Sequence, residues 1–538
     1  MYLQQIINRL TAPETEDRRV PKILVITALS VFLVMAVMAW VLYKERMLNF
    51  DPVFFTFLML QEEWFSPVLG RYGTILSQLL PFTLMKFDAS LETILKFYSL
   101  SFVLLYVSYL LIVAKGFKDR AGVIALCIAV TLTFRQTFYY VTAELYQAIG
   151  LSVVLWSLFK FTLNSQGIKQ KIGIICCALL IIGISFFHQL ALFTVIFVLG
   201  VELSKRENLK NYLAWVMVAF AFVWFVFRIK FLTVSSYEQE KLLTIESFFH
   251  YLTKITELES YTYFVRFYHG HLSVPVFASI AGLVSLLFQR KWLTALYIPA
   301  FILAFWLVII TGMNRHESPI MFQNYYTVFG LFVGVLLAIA FERSNIWFVT
   351  LMVFGLSFYS LKEIYRSRHD YRIRTEFVAQ LCEYGQQFPE GKYVIDASHL
   401  PWDFVWINWA LPFETLMTSE INPRQQPVTF YSTFELDTLT DYDITRPESF
   451  LGATFEPRWH GTNTLNSNYF NVKEGPYRII NTLQNEELLT DSFLDLKAIQ
   501  IIPEKPDLVK SGGYNSTKIT IDNETSTMLG SVPDKDLG

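Results

Sequence analysis

The chain has little of what marks a soluble enzyme or a secreted scaffold. Of its 538 residues only 17% are charged, and 44 Lys and Arg almost balance 46 Asp and Glu. The net charge of -2 sets up no basic field, so no nucleic-acid partner is expected. Four cysteines, Cys127, Cys176, Cys177 and Cys382, are too few and too scattered for a disulfide framework or a zinc site. The first three stand in apolar runs as packing residues, and Cys382 is alone in a polar tail that therefore has no internal disulfide. There is no internal repeat and no low-complexity tract. Residues 1–22 carry too many charges for a cleaved signal peptide, and the apolar run after them is too long, so it is expected to stay as an anchor.

What is abundant is apolar surface. Hydrophobic residues make up 53% of the chain and aromatics 17%, with a mean hydropathy of +0.39, well above a soluble domain. A helix needs roughly 20 apolar residues to cross a hydrocarbon core of about 30 Å. The runs 23–43, 97–114, 121–141, 145–163, 172–187, 189–203, 211–228, 272–288, 292–311, 325–341 and 346–361 predict about eleven membrane helices. The pair within 172–203 equally fits a re-entrant hairpin, which would lower the count by two.

Cytoplasmic loops retain Lys and Arg, so loop charge reports orientation. The basic residues fall in alternate segments: Arg9, Arg18, Arg19 and Lys22; Lys115, Lys118 and Arg120; Lys160, Lys169 and Lys171; Lys205, Arg206 and Lys210; Arg290 and Lys291; and Arg343. The short turns between them hold only Arg135 and Arg315. The expected layout is a cytoplasmic tail over 1–22, a membrane region over 23–361 and an extracytoplasmic domain over 362–538, periplasmic if the source is bacterial. The segments 44–96 and 229–271 fall on the outer side. In the tail, strand-like runs at 392–397, 427–432, 476–481, 496–503 and 518–522 are separated by Pro, Asn, Asp and Gly, which predicts a small mixed α/β domain. A helix over 404–416 would be interrupted by Pro412. Asn515-Ser516-Thr517 and Asn523-Glu524-Thr525 match the glycosylation triplet, a pattern common by chance.

Ionisable groups near helix ends at membrane depth need a reason, and here they gather on the outer side. Asp51 opens the apolar stretch 53–60, too short to span and suited to a helix lying in the interface, as is 73–85 with Pro81. An Asp before a proline is equally often a helix cap or turn residue. Glu62 and Glu63 read first as a solvated loop edge. Arg71, in Gly70-Arg71-Tyr72-Gly73, is either an interface anchor or an anion ligand whose flanking glycines admit a phosphate. Arg135 and Glu144, at neighbouring helix ends, either pair with each other or face a substrate. His188 reads most simply as a hydrogen-bonded turn residue. Arg266, His269 and His271 precede the eighth span, but His269 and His271 lack helical metal-ligand spacing and a third ligand, so no metal site is predicted. Arg315, His316 and Glu317 form a charged turn before Met321-Phe322-Gln323-Asn324-Tyr325-Tyr326.

Together these are carboxylates able to take a proton and cations able to hold an anion, on one side of a lipid-facing bundle. Glycosyl transfer from a lipid-phosphate sugar needs that combination: a base for the acceptor hydroxyl and positive charge for the departing phosphate. On these residues the layout resembles the GT-C superfamily of integral membrane glycosyltransferases over most of 20–361. Asp51 matches the acidic residue that this family places in the first outer loop after span 1. Asp51 through Glu62-Glu63-Trp64-Phe65-Ser66-Pro67 to Gly70-Arg71-Tyr72 is similar to the same region of aminoarabinose and mannosyl transferases, and the Gly-Arg-Tyr turn also looks like serotype-converting glucosyltransferases. Arg315 through Tyr326 resembles the late outer loop that contacts donor phosphate.

The resemblance implies inverting transfer from a polyprenyl-phosphate sugar to an extracytoplasmic glycan, lipid or protein acceptor. Asp51 would then be the base, and Arg71, Arg135, Glu144, His188, Arg315, His316, Glu317 and Tyr325 would contact substrate or phosphate, with Glu62, Glu63, Arg266 and His269 as secondary candidates. The first outer loop has no Asp-x-Asp or Asp-Glu pair at the acidic position, so no motif supports a divalent metal and no cofactor is expected. Pro401-Trp402-Asp403-Phe404 is only distantly similar to the Trp-Trp-Asp-Tyr-Gly signature of oligosaccharyltransferase catalytic subunits and carries nothing over. A polymerase or ligase of lipid-linked glycans is the nearest alternative, followed by a non-catalytic assembly subunit. A lipid transporter would place its ionisable groups mid-span within repeated halves, which the chain does not do.

Overall fold

The computed structural model describes residues 20–232, 245–267, 272–312, 324–434, 436, 439, 444–453 and 460–480. The strands expected at 496–503 and 518–522, and both glycosylation triplets, lie outside the described residues. The described residues all belong to one compact unit.

Long apolar runs satisfy their backbone groups by closing helices, and helices make up most of the chain. From the N-terminus come α1 (Lys22–Val41), α2 (Tyr43–Met47), α3 (Phe50–Gln61), α4 (Ile75–Lys86), α5 (Leu91–Leu111), α6 (Arg120–Ala129), α7 (Glu144–Leu163), α8 (Gly167–Ser185), α9 (Ala191–Leu203) and α10 (Tyr212–Phe231). Then follow α11 (Ile245–Leu252), α12 (Glu259–Phe267), α13 (Ser273–Phe288), α14 (Trp292–Gly312), α15 (Val328–Phe341) and α16 (Ile346–Gly385). Among the described residues, α1, α5, α7, α8, α10, α14, α15 (taken with the helical residues before it as Asn324–Phe341) and α16 are the eight helices long and apolar enough to cross a membrane. The other three expected spans, α6, α9 and α13, have 10, 13 and 16 residues. At about 1.5 Å per residue each is shorter than a roughly 30 Å core. Eight of the expected runs are thus helices long enough to cross, and three fall short by length. The run 121–141 in particular is helical only to Ala129 and then turns, with a 3₁₀ turn at Gln136–Tyr139.

Helices α7 and α15 are buried almost all round and form the centre of the bundle. The outer helices expose large apolar side chains, among them Leu33 on α1, Leu179 on α8, Phe222 on α10, Leu296 on α14 and Leu351 on α16. Apolar surface on this scale is costly in water and suits lipid. The turns gather at two ends. At one, Arg120 Nη2 donates to Ser344 O (2.6 Å), Ser204 and Thr294 hydroxyls meet at 2.9 Å, and Lys291 Nζ donates to Ile339 O (3.1 Å). At the other, Gly73 N donates to Phe186 O (3.1 Å) and Tyr146 OH to Asn324 Oδ1. The helices joined by these turns therefore alternate in direction, with the described basic loops at a single end.

Helix α16 has 40 residues and runs on through the expected boundary at 361. Past the apolar segment its outward positions become charged, whereas Ile364, Ser367, Tyr371, Arg374, Val378 and Leu381 stay buried. Strands β1 (Lys392–Asp396), β2 (Thr429–Thr433) and β5 (Arg478–Ile480) form a parallel sheet in the order β2-β1-β5, with Val394 opposite both Tyr431 and Ile479. These match three of the expected strands. β3 (Ser449–Phe450) and β4 (His460–Gly461) pair antiparallel beside them. Between β1 and β2 lie α17 (Trp402–Val405) and α18 (Leu411–Glu420). Pro412 stands in the first turn of α18 and does not interrupt it, because a helix makes no use of the amide N–H there.

One expectation needs a larger correction. α3 is not an interfacial helix: Pro52 through Leu60 are all buried within protein. Phe54 packs against Trp409 (5.4 Å between ring centroids) and Phe413 (5.2 Å), and Phe57 against Phe413 (4.7 Å) and Phe470 (4.9 Å). Asn466 Nδ2 donates to Leu60 O (2.8 Å), closing the last turn. An apolar run looks the same in sequence whether lipid or protein covers it. α4 fits the expectation better, with Leu76 and Leu79 exposed on one side.

Candidate functional site

The site is built from helix starts. Asn49 is the N-cap of α3, so Asp51 is not a cap; it lies in the first turn, and its carboxylate accepts a hydrogen bond from Tyr140 OH. Tyr140 sits in the turn between α6 and α7, within electrostatic reach of Asp51, Glu144 and Tyr146. Glu144 is the first residue of α7 and pairs with Arg71 Nη1 at 2.8 Å, both side chains largely buried. Both carboxylates thus stand at helix N-termini.

Arg71 is set by the two 3₁₀ turns Val68–Gly70 and Tyr72–Thr74. Gly73 brings this turn against the α8–α9 turn: a Cβ there would meet the Phe187 ring at 2.4 Å. The glycine therefore admits a neighbouring aromatic ring. His188, in that second turn, accepts Leu190 N at Nδ1 (3.1 Å), which leaves Nε2 as the ring's donor. Its ring lies 6.1 Å from that of Tyr325 at the start of α15. Tyr146, one turn into the bundle, has Glu144 and Tyr325 in electrostatic reach. Asp51, Arg71, Glu144, His188 and Tyr325 are thus brought to one end of the bundle, opposite the basic loops, by way of Tyr140 and Tyr146.

Other expected site residues go elsewhere. Arg135 does not pair with Glu144; it turns to α16, 4.0 Å from Glu363. Glu62 is exposed past the far end of α3, and Glu63 contacts Asn466 (3.3 Å) and Lys86 (3.7 Å). Arg266 is exposed on α12. His269, Arg315, His316 and Glu317 lie outside the described residues. Three residues at this end escaped the sequence reading: Tyr140, Tyr146 and Arg46. Arg46 is fully buried, its guanidinium 3.8 Å over the Phe138 ring, and it donates to Ser99 O at 3.2 Å. Tyr139 and Tyr140, beside Arg135 in a turn already under suspicion, were the available signal.

Behind α3 lies a second ion pair. Arg374 on α16 and Glu414 on α18 are both fully buried, with Arg374 Nη2 2.9 Å from each Glu414 oxygen and Nε 3.2 Å from Oε1. Glu414 Oε1 also accepts Phe50 N at 2.8 Å. Burial pushes the Glu414 carboxyl above the usual carboxylate range, opposed by Arg374 and by the Phe50 amide.

Among the described residues, no three His, Cys, Asp or Glu side chains gather to hold a metal ion. No protein-family model matches the chain, and neither a curated protein nor a solved structure matches it. The arrangement can take a proton at Asp51, hold an anion beside Arg71 and orient polar groups through Tyr140, Tyr146 and His188.

Proposed function

We propose that the protein is a GT-C-like membrane glycosyltransferase that moves a sugar from a polyprenyl-phosphate donor to an extracytoplasmic acceptor with inversion. The observation that carries this reading is the gathering of Asp51, Glu144 and Arg71 at the end of the bundle opposite the basic loops. By the charge rule the end that carries the basic loops is cytoplasmic, and on this reading the site faces the outer side of the membrane. In the reaction the Asp51 carboxylate takes the acceptor's hydroxyl proton, and the acceptor oxygen forms a bond to the anomeric carbon. The bond from that carbon to the phosphate oxygen breaks, and polyprenyl phosphate leaves with the electron pair. On this reading Arg71 meets the developing charge, and lipid-facing apolar helices surround the polyprenyl tail.

The test is release of polyprenyl phosphate from a panel of polyprenyl-phosphate monosaccharides, by purified wild-type protein and Asp51→Asn. General base catalysis supplies roughly 10²–10⁴-fold, so Asp51→Asn is expected to lose about that much turnover with donor binding retained. The exchange is nearly isosteric and leaves Tyr140 an oxygen to bond. A folded Asp51→Asn protein working near the wild-type rate would end the assignment.

A further inference from the structure

We infer that the buried Arg374–Glu414 pair is a positioning device for the Asp51 carboxylate, acting through the backbone N–H of Phe50. The inference rests on the reading of Asp51 as the base. It begins with an unusual backbone. Phe50 has φ 40°, the left-handed region that a bulky side chain rarely adopts and that persists only where surroundings hold it. Its N–H is one of the orphan amides of the first turn of α3, and the Asn49 side chain does not cap that turn.

The hold comes from the far end of the chain. Glu414 accepts the Phe50 N–H, and the Arg374 guanidinium lies 4.0 Å over the Phe50 ring. The Trp406 ring stacks on the Phe50 ring as well, 6.1 Å between centroids and 18° from parallel. Arg374 Nη2 also donates to Ile407 O (2.8 Å), tying down the loop that carries Trp406. Phe50 is thus fixed at backbone and side chain, one residue before Asp51.

The partner of Asp51 is fastened to the same helix. Tyr139, next to Tyr140, donates to Ile364 O on α16 (3.0 Å) and stacks on Tyr371 (4.8 Å, 21°). Gln136 Nε2 donates to Asp370 Oδ2 (2.8 Å). Both sides of the Asp51–Tyr140 contact are therefore anchored on the half of α16 beyond the apolar segment. Stability does not explain the choice of residues, since a buried ion pair adds little over apolar replacements of similar volume. A backbone N–H held in place does need an acceptor there.

Two double variants separate clamp from charge. Arg374→Met with Glu414→Gln keeps an acceptor oxygen for Phe50 N–H, and Arg374→Met with Glu414→Leu removes it. Both remove the two charges together, so neither strands a buried ion. In the leucine variant we expect amide exchange over 49–61 to rise roughly 10-fold. Transfer is expected to fall by about 10²-fold, as misplaced groups do, with binding of undecaprenyl phosphate unchanged. The glutamine variant keeps the acceptor for Phe50 N–H and should change clearly less in both, with binding likewise unchanged. Equal exchange and equal transfer in the two variants would overturn the inference. Should the leucine variant fail to fold, Glu414→Asp keeps the charge balance, withdraws the oxygen from Phe50 and carries the same contrast. Failure of the base reading shows separately: Asp51→Asn alone would work at the wild-type rate, and the exchange contrast would still decide whether the clamp exists.

Discussion

The two ends of the bundle are both charged, but they are assembled differently. At the basic end the pairs join adjoining loops or neighbours in sequence: Lys205 reaches Glu202 (2.8 Å) three residues away, and Lys160 reaches Asp119 (2.6 Å) in the adjoining loop. Other cations donate to the last carbonyls of helices, as Lys291 does to Ile339 O and Arg120 to Ser344 O just past the end of α15. Cations belong at helix C-termini on dipole grounds alone, so this end needs no ligand to account for it. At the other end carboxylates sit at helix N-termini and their supports come from hundreds of residues away, Phe50 to Glu414 and Asn466 to Leu60 among them. The basic end closes on itself. The Asp51 end is fastened from outside the bundle, by the far half of α16, by α18 and by the segment that carries Asn466.

The most forceful way to break this contrast is to remove one partner from each kind of pair. Arg374→Ala leaves Glu414 buried without its cation, and breaking a fully buried pair in this way costs about 3–5 kcal/mol. Lys205→Ala at the basic end leaves Glu202 still bonded to Trp156 Nε1 (2.7 Å) and Asn208, so its cost is expected to be smaller by at least about 1 kcal/mol. Thermal or denaturant unfolding of the two variants in the same detergent measures the difference. Equal losses would erase the distinction between the ends.

A middle-sized effect is expected where two outer turns touch. At Gly73 any side chain collides with the Phe187 ring, so Gly73→Ala overpacks the contact that joins the Arg71 and His188 turns. Overpacking typically costs about 1–3 kcal/mol. Because Arg71 is two residues away, the same variant should also raise the donor concentration needed for half-maximal transfer. If stability and donor dependence are both unchanged in Gly73→Ala, the two turns do not define the site together.

The same contrast explains what the sequence could reveal. Spans long enough for a bilayer are read from length and composition, and eight of the expected runs are such helices. Strands 392–397 and 427–432 were legible because β1 and β2 are short runs rich in aromatic and β-branched residues, buried at all but their last position. Periodicity cannot say what covers an apolar face, so α3, sealed by Trp409, Phe413 and Phe470, looked like an interfacial helix. Nor could it foresee that α16 runs on past 361, since its stripe changes there from apolar to mixed while the buried side continues. Asp51, Arg71, Glu144 and His188 stood out because charge and histidine are rare at helix ends in such a chain. Tyr140 and the Arg374–Glu414 pair did not, because tyrosine is common here and a pair 40 residues apart in a polar domain carries no pattern.

The smallest expected effect sharpens the comparison from the basic side. Lys291 sits in the turn between α13 and α14 and donates to Ile339 O at 3.1 Å, near the C-terminus of α15. Lys291→Gln keeps a side-chain donor of similar reach and removes only the charge. What is lost is the interaction of a cation with the end of a helix dipole, worth about 0.3–1 kcal/mol. Donor binding and transfer should not change, because no residue of the Asp51 end touches this turn. The distinction from Arg71 is then quantitative: replacing a cation that meets a desolvated phosphate should cost about 2–5 kcal/mol of binding or transition-state stabilisation. Arg71→Gln and Lys291→Gln, assayed side by side for unfolding and for polyprenyl-phosphate release, are expected to differ in transfer by at least about 30-fold, the equivalent of 2 kcal/mol. A transfer defect of the same size in Lys291→Gln would mean that charge anywhere on the bundle tunes the reaction, and that the Asp51 end is not special.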